Sequence, residues 1–219
     1  MPVDTTIASP VAPLVAIVDD DEGIRDSLQM LLEIAGMRCR AFASGEDFLE
    51  EEARRGPAAP PCACLLLDVH MPGASGLEVQ ERLTESGSAI PVIMMTAHGE
   101  VPIAVRAMKA GAVDFVEKPL DADLLVETIG RALAQSERNR NEKELSLRAA
   151  DRIAALTPRE REVLEALVAG KPNKVIAHHL GISPRTVEIH RARVMEKMQA
   201  QSLSDLVRMT LANAGHGGR

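Results

Sequence analysis

Polar side chains that could act together in catalysis follow four apolar runs in the first 120 residues. The runs "LVAIVD", "CACLLLD", "PVIMMTA" and "AVDFVEK" each carry an acid, a hydroxyl or an ammonium at or beside the carboxyl end. These side chains are Asp19 and Asp20, Asp68, Thr96, and Lys118, which precedes Pro119. A charge at the end of an apolar run lies at the rim of the core, where burial without a partner is costly. The pattern therefore indicates a site that binds or transfers a charged group.

The elements that must position these groups form a regular alternation. The four runs, with a more polar run at 37–42, predict five strands. Helical patterns separate them; the first carries one apolar stripe, of Ile24, Leu28, Leu31, Leu32 and Ala35. Near-continuous apolar strands alternating with helices are typical of a parallel sheet covered on both faces. We therefore predict an α/β fold with a doubly wound, five-stranded parallel sheet of the flavodoxin-like type.

The carboxyl ends of the strands in such a sheet share one edge, which is where these folds bind ligands. Three carboxylates there repel one another unless a cation lies among them, and an all-oxygen site of this kind suits Mg²⁺. The ammonium of Lys118 and the hydroxyl of Thr96 suit phosphoryl oxygens. This combination predicts phosphoryl transfer, with Asp68 as the nucleophile. The alternative is that each Asp only caps the helix that follows its strand.

The remainder of the chain is predicted to be helical. Residues 136–155 are charged and free of Gly and Pro, which predicts a solvated helical linker. After it, helix start signals occur at Thr157, Ser183 and Ser202, and Asn173 could cap a further helix. The stretch from Asn173 to Met198 then contains helix, turn on Gly181, and helix, the helix-turn-helix pattern. The predicted domains are a doubly wound domain at 12–135, the linker at 136–155 and a small all-α domain at 156–219.

The second helix of this motif, Pro184 to Met198, has two faces at about 100° per residue. Val187, His190, Arg191, Val194 and Met198 form the packing face, and the opposite face would enter a DNA groove. There, Glu188 could accept from cytosine, Ile189 could touch a thymine methyl, and Arg185 could reach guanine or phosphate. The residues predicted to contact DNA are Lys174, Arg185, Thr186, Glu188, Ile189, Arg191, Ala192, Arg193 and Lys197. The alternative is a solvated amphipathic helix with basic edges.

Charge and composition agree with two parts that have different partners. Residues 1–131 contain 22 acids and 10 bases, a net charge of −12, whereas 132–219 contain 10 acids and 15 bases, a net charge of +5. The basic part could bind a polyanion. The sequence has no basic start followed by an apolar block, and no apolar run of membrane-spanning length. It therefore predicts neither a signal peptide nor a membrane span. The three cysteines are odd in number and lie in or beside strands, so we expect free thiols and a cytoplasmic protein, and no metal at "CAC".

These motifs resemble a known family over nearly the whole chain. Residues 12–135 resemble a bacterial receiver domain, with the acidic pair, the acid of "LLLDVHMPG", the switch Thr96, "GAVDF" ending in a switch aromatic, Phe115, and the Lys-Pro pair. Residues 157–213 resemble a LuxR/NarL-type output domain through "LTPREREVLEALVAG" and "NKVIAHHLGISPRTVEIHR". Together they resemble two-component response regulators of the FixJ subfamily.

The resemblance implies a mechanism. A sensor histidine kinase would phosphorylate Asp68, with Mg²⁺ held by Asp20, Asp68 and the backbone carbonyl of His70, and with Asp19 acting through metal-bound water. Thr96 and Phe115 would then move, and the protein would dimerise through the face made by the fourth predicted helix, the fifth strand and the fifth helix. It would bind promoter DNA and act on RNA polymerase, with activation the expected direction. The family also implies a cis peptide bond between residues 118 and 119, and a protein that is not a conventional enzyme.

Several alternatives stay open at this stage. A haloacid-dehalogenase-like phosphohydrolase also uses an Asp after an apolar strand, but it places a second acid where this chain has His70. A binding protein whose receiver does not respond to phosphate is a second alternative. His70 and His98 could affect phosphoryl lifetime or be solvated loop residues. Phe115 could be an ordinary core residue. The last helix could either form a dimer contact or only pack against the core of its own domain. Its apolar stripe contains Leu203, Leu206, Val207, Thr210 and Leu211.

Overall fold

The computed structural model describes residues 12–56, 61–97 and 101–214. The chain divides into two units, and the division falls between Glu137 and Arg138. This division lies inside a helix that runs from Ala122 to Ala154, so the helical conformation predicted for 136–155 extends the helix before it. Within that segment Ser146 and Ala149 are buried, which a fully solvated linker would not show.

The first unit is a parallel sheet with helices between its strands. The elements are β1 (Leu14–Val18), α1 (Glu22–Ile34), β2 (Arg38–Phe42), α2 (Gly45–Arg54), β3 (Cys64–Asp68), α3 (Gly76–Glu85), β4 (Val92–Thr96), α4 (Val101–Lys109), β5 (Asp114–Glu117) and α5 (Ala122–Ala154). The strand order is β2-β1-β3-β4-β5, and all pairings are parallel. The predicted doubly wound sheet is confirmed. The strand order reverses at β1 and β3, whose carboxyl ends therefore flank the expected ligand position.

Both faces of the sheet are buried, which explains why its central strands read as unbroken apolar runs. One face of β3 packs Leu65 and Leu67 with Phe48 of α2, and the other packs Leu66 with Leu32 of α1. Alternate residues of a strand point to opposite faces, so each central strand fills two core layers. The polar residues at the carboxyl ends of these strands lie where the packed layers end.

Side-chain caps start several helices, mostly as their sequences indicate. The Ser44 hydroxyl accepts from the N–H of Asp47 at the start of α2. Asp21 caps α1 by accepting from the N–H of Ile24. Ala35, which the sequence places on the apolar stripe of α1, lies just beyond the helix, because the helix ends at Ile34 and Ala35 is its exposed carboxyl-terminal cap.

The second unit combines the end of α5 with α6 (Pro158–Val168), α7 (Asn173–Leu180), α8 (Pro184–Met198) and α9 (Leu203–Ala214). Gly181 adopts a left-handed conformation with φ of 64°, which ends α7 and turns the chain into α8. The helix-turn-helix is therefore present where the sequence predicts it. Its core contains Val163, Leu164, Leu167, Ile176, Val187, Val194, Met198 and Leu206.

Three of the four predicted helix starts in this unit, at Thr157, Ser183 and Ser202, carry a side-chain cap. Thr157 and Glu160 form a complete capping box at the start of α6, and Ser183 caps α8. Asn173 does not cap α7, which contradicts the sequence interpretation. Pro172 occupies the cap position without a side-chain hydrogen bond, and Asn173 is the first helical residue. The constrained φ of proline supplies the turn that a capping side chain would otherwise stabilise.

Glu160 also holds α6 against α8. Its buried carboxylate accepts from Lys197 Nζ at 2.7 Å and from the N–H of Thr157 at 2.9 Å. The hydrogen bond from Lys197, and then that from Thr157, lowers the pKa of Glu160 to about 2. A carboxyl whose pKa is lowered by folding stabilises the fold above its unfolded pKa, and this stabilisation is lost as the pH falls through the folded value.

We therefore expect Glu160→Gln to lower the free energy of unfolding of this unit by about 1 to 2 kcal/mol at pH 7. The difference should narrow as the pH falls from about 4.5 and should be nearly gone at about pH 2. Urea unfolding followed by NMR on the methyl groups of Val163 and Val194 measures it. Glu162→Gln, which removes an exposed ion pair with Arg159, is the control. An equal loss in both variants at every pH would contradict the expectation.

Candidate functional site

Three carboxylates meet at the carboxyl edge of the sheet. Because β1 and β3 are adjacent and parallel, with Val18 opposite Leu67, the residues that follow them emerge side by side. Each of Asp19, Asp20 and Asp68 has a ligand atom within 4.8 Å of the others. Asp19 and Asp68 are buried, and Asp20 is exposed. The site therefore has a buried pair of acids and an open side toward solvent.

Lys118 binds both buried acids. Its Nζ lies 2.7 Å from Asp19 Oδ2 and 2.7 Å from Asp68 Oδ1, and 14% of its side chain is exposed. Burial lowers the pKa of Lys118, but the hydrogen bonds and charges of the two acids outweigh this effect and raise it. Burial raises the pKa of Asp68, and the hydrogen bond and charge of Lys118 offset only part of that effect. Lys118 therefore stays protonated, and its positive charge lies between two carboxylates that need a cation beside them.

Backbone groups fix the remaining oxygens of the acids. The N–H of His70 donates to Asp68 Oδ2 at 3.0 Å, and the N–H of Asp21 donates to Asp19 Oδ1 at 3.0 Å. Arg25 Nη1 donates to the carbonyls of Asp19 and Asp20 at 2.8 and 2.9 Å. Arg25 is not among the site residues predicted from the sequence. Its place on the first turn of α1, just after the acidic pair, is the signal that could have indicated it.

The segment after Asp68 turns back tightly onto the strand end. A Cβ on Gly76 would lie 2.1 Å from the carbonyl oxygen of Asp68, so only glycine fits at this position. The N–H of Gly76 donates to the carbonyl of Val69 at 3.1 Å and closes the loop at its base. The close approach of α3 therefore holds the backbone of Asp68 in place.

The other residues that the receiver resemblance identifies lie in different structural environments. Thr96 ends β4 and is buried, and its carbonyl accepts from the N–H of Lys118 at 2.7 Å. Phe115 lies opposite Met94 in the sheet and is half-buried against the α2–α3 side of the core. His70 is exposed, and His98 lies outside the described residues. The peptide bond between Lys118 and Pro119 is cis, as the resemblance implies.

The donor set at this edge fits a hard cation. The carboxylates supply only oxygen, the exposed Asp20 leaves an approach from solvent, and Mg²⁺ is normally held by one or two carboxylates with several waters retained. In the described part of the chain no second group of metal-ligating side chains occurs. The cysteines are free, and burial raises the pKa of Cys62 to about 11 and of Cys64 to about 12. A buried thiol with a raised pKa is an inert one.

Exposed apolar side chains occur on α4, in the segment before β5, and on α5. They are Val101, Val105, Met108, Val113 and Leu124, each between 41% and 72% exposed. Val101, Val105 and Met108 are spaced four and three residues apart and so share one face of α4. Exposed apolar side chains grouped on one face are typical of an interaction site. We call this cluster the α4–α5 apolar surface.

The second helix of the helix-turn-helix has the two faces that the sequence predicts. Val187, Val194 and Met198 are fully buried, and Arg185, Glu188, Ile189, Ala192 and Arg193 are exposed. Lys174 is exposed at the start of α7. Arg191 and Thr186 are half-buried, and the Thr186 hydroxyl lies 2.8 Å from that of Ser183. The exposed face carries Arg185 and Arg193 together with Glu188 and Glu196. An exposed polar face on the second helix of a helix-turn-helix is the geometry of a groove-binding element.

Lys197 differs from the other predicted DNA contacts because its ammonium already has partners within the protein. Its ammonium is held by Glu160 and by the carbonyl of Ala155, at 2.7 and 3.3 Å. Its predicted contact with a DNA phosphate rests on helical spacing, which places it near the basic edge of the helix. The structure gives it an internal partner that no local pattern shows, since that partner lies 37 residues away.

The comparison with protein families agrees with this geometry. Residues 15–130 match the response regulator receiver domain, and residues 154–210 match the bacterial regulatory proteins of the luxR family. The chain therefore belongs to the response regulators that join a receiver domain to a LuxR-type DNA-binding domain. No helix among the described residues is long and apolar enough to span a membrane.

Within this class the chain is similar to FixJ proteins. It is 45% identical to the transcriptional regulatory protein FixJ of Bradyrhizobium diazoefficiens over 89% of this chain and 93% of that protein. The FixJ protein of Rhizobium meliloti is 47% identical over 90% of this chain and 95% of its own length. Among solved structures, the response regulator StyR matches with a TM-score of 0.74 and 40% identity over 91% of this chain and 98% of its own.

These findings define the general function. A receiver and a LuxR-type domain on one FixJ-like chain are the parts of a phosphorylation-dependent regulator of transcription. The combination implies a histidine kinase and promoter DNA as partners, and it is not that of a conventional enzyme family. The phosphohydrolase alternative is disfavoured, because the acid it needs is His70 here and because the second domain is of a DNA-binding family.

Proposed function

We propose that a sensor histidine kinase transfers a phosphoryl group to Asp68, and that this reaction controls the binding of a dimer to promoter DNA. The observation that carries the proposal is the position of Lys118 Nζ, 2.7 Å from both Asp68 Oδ1 and Asp19 Oδ2, at the open edge of the sheet. An ammonium in this position can bind the oxygens of an incoming phosphoryl group while Asp68 remains ionised.

Each side chain at this edge of the sheet has its own role in the proposed phosphoryl transfer. A carboxylate oxygen of Asp68 attacks phosphorus, the bond from phosphorus to the kinase histidine breaks, and the product is an aspartyl phosphate. The His70 N–H orients the carboxylate. Asp20, Asp68 and the His70 carbonyl would hold Mg²⁺, with Asp19 acting through a bound water, and the ion would neutralise charge on the transferred group. Lys118 and the Thr96 hydroxyl would bind the phosphoryl oxygens after transfer.

Phosphorylation then has to favour an active conformation. A change from a 1:99 to a 99:1 ratio requires about 5.5 kcal/mol of differential stabilisation. New contacts from the phosphoryl group to Thr96 and Lys118 would supply part of it, and inward rotation of the half-buried Phe115 would change the neighbouring face. The α4–α5 apolar surface is the face on which we propose that two phosphorylated copies dimerise, because dimerisation would cover its exposed side chains.

The proposed DNA contacts lie on α8 and at the start of α7. Arg185, Thr186, Glu188, Ile189 and Ala192 are assigned to base edges or their immediate surroundings, and Lys174, Arg191 and Arg193 to phosphates. Lys197 is assigned first to its ion pair with Glu160. Two copies would bind half-sites about one helical turn apart. RNA polymerase is the proposed target of the DNA-bound dimer, with activation as the expected direction.

The two kinds of DNA contact should respond differently to substitution. Arg185→Ala should weaken binding to the preferred operator by about 1 to 3 kcal/mol and relax the preference for one base pair. Lys174→Ala should weaken binding to all sequences alike and lower the salt slope of the logarithm of the binding constant by about 1. Fluorescence anisotropy with operator and random duplexes at several salt concentrations measures both. Arg148→Ala, on the exposed side of α5, is the control, and equal effects of the first two substitutions would contradict the assignment.

Genome-wide footprinting of the protein with and without a phosphodonor tests the proposed function as a whole. Phosphorylated protein should protect a set of promoters with paired half-sites, and untreated protein should protect few of them. Identical protection in both states would contradict control by phosphorylation, and no protection in either state would contradict DNA binding.

A further inference from the structure

The loop between β3 and α3, residues 69–75, carries the backbone groups that surround the phosphoacceptor. Its His70 N–H donates to Asp68 Oδ2 at 3.0 Å. The base of the loop is closed by the hydrogen bond from Gly76 to Val69, and its last residue, Ser75, caps α3 in a capping box with Glu78. Any group that fixes the middle of this loop therefore influences the geometry around Asp68.

Glu46, on the first turn of α2, makes such a contact from another part of the chain. Its Oε1 accepts from the N–H of Ala74 at 2.8 Å, across 28 residues of sequence. Its carboxylate also lies directly against Gly73, whose φ is +78°. A Cβ at Gly73 would be 2.8 Å from the same Oε1. The carboxylate thus packs against the turn of the loop and satisfies one of its backbone donors.

The ordinary explanation for an acid in this position does not account for the contact. Acids on the first turn of a helix stabilise it through the helix dipole. However, the cap of α2 is made by Ser44 and Asp47, which hydrogen-bond each other through both backbone and side-chain groups. Glu46 is turned away from these capping groups and toward the next loop. Its hydrogen bond joins α2 to the segment that follows Asp68.

We propose that Glu46 is a positioning residue for phosphorylation of Asp68. By holding Ala74 and the turn at Gly73, it fixes the path of residues 70–75, and so keeps the His70 N–H on Asp68 Oδ2 and the His70 carbonyl at the cation position. This inference rests on the proposed function of Asp68. It adds an acid on α2, which contacts neither the phosphoryl group nor the proposed cation.

The test compares Glu46→Ala, Glu46→Asp and Glu46→Gln with the wild-type chain. Glutamine keeps an oxygen acceptor of the same length, whereas the shorter aspartate cannot reach Ala74. One readout is amide hydrogen exchange of the metal-free protein at Ala74 and His70. The second is the rate of Asp68 phosphorylation by acetyl phosphate over a range of Mg²⁺ concentrations. Glu50→Ala, on the exposed side of the same helix, is the matched control.

Glu46→Ala and Glu46→Asp should speed exchange at both amides by roughly tenfold, the value expected for loss of one hydrogen bond to a charged group. They should also lower the phosphorylation rate several-fold at subsaturating Mg²⁺, while Glu46→Gln and Glu50→Ala stay within about twofold of wild type. If Glu46→Ala does not fold, the Asp and Gln variants decide the result.

Faster exchange at Ala74 alone, with normal exchange at His70 and a normal phosphorylation rate, would show a purely structural role and overturn the proposal. Failure of Glu46→Gln to restore the rate would also overturn it. If the wild-type chain itself accepts no phosphoryl group, the proposed function fails, and the exchange at His70 still decides whether Glu46 positions the loop.

Discussion

The Asp68→Asn protein should accept no phosphoryl group from acetyl phosphate and should remain in its untreated oligomeric state. The amide of asparagine is not a nucleophile, and among the described residues no other carboxylate accepts hydrogen bonds from both Lys118 and the His70 N–H. The amide oxygen can still accept from Lys118, so the fold should be retained. Mass spectrometry of the intact protein measures uptake, and size-exclusion chromatography with light scattering measures dimerisation.

Asp151→Asn, an exposed acid on α5, is the control and should be labelled like the wild type. Complete loss of both labelling and dimerisation in the Asp68 variant is the expected result. Labelling that persists would locate the acceptor elsewhere. Loss of labelling with phosphodonor-dependent dimerisation retained would point to a different trigger.

Lys118→Met should have the second large effect, because it removes the cation that two buried acids share. Breaking a buried ion pair by removing one partner costs about 3 to 5 kcal/mol, and the partial exposure of Lys118 places the expected loss near the lower end, at about 3 kcal/mol. The phosphorylation rate should fall by about 100-fold, as on removal of a preorganised donor to a transferring group. Urea unfolding and acetyl phosphate labelling measure the two effects.

Lys143→Met, on an exposed part of α5, controls for the general effect of losing a lysine. Lys118→Arg separates charge from geometry, since a guanidinium keeps the charge but has a planar arrangement of donors. A Lys118→Met chain that is as stable and as readily phosphorylated as the wild type would contradict the position given to this residue in the proposed mechanism.

Much of the first domain could be predicted because its signals are local. The residues of β1, β3 and β4 are all buried, so their apolar runs are unbroken, and a run of that kind between helices permits few arrangements. Once the sheet is parallel, Asp19, Asp68 and Thr96 must emerge at one edge. The positions of the strand ends alone therefore predicted which edge of the sheet carries the reactive side chains.

The contacts that the sequence did not predict involve partners that are distant in sequence or compete locally. Asn173 has the right chemistry to cap α7, but the preceding proline occupies the cap position. Lys197 has the right spacing for a DNA phosphate, but Glu160 binds it from another helix. Glu46 reads as an ordinary acid near a helix start, and its contact with Ala74 depends on how α2 packs beside the loop. None of these contacts produces a periodic pattern in the sequence.

The sequence by itself determined the two-part architecture, the parallel sheet, the helix-turn-helix and the set of residues available for phosphoryl transfer. These features follow from burial patterns and caps that act over a few residues. Only the tertiary structure decided which atoms meet: Lys118 with acids 50 and 99 residues away, and Glu46 with a loop 28 residues away. The physical reason is that a side chain's type fixes what it can bind, whereas the packing of whole elements fixes which of several suitable partners comes within hydrogen-bond distance.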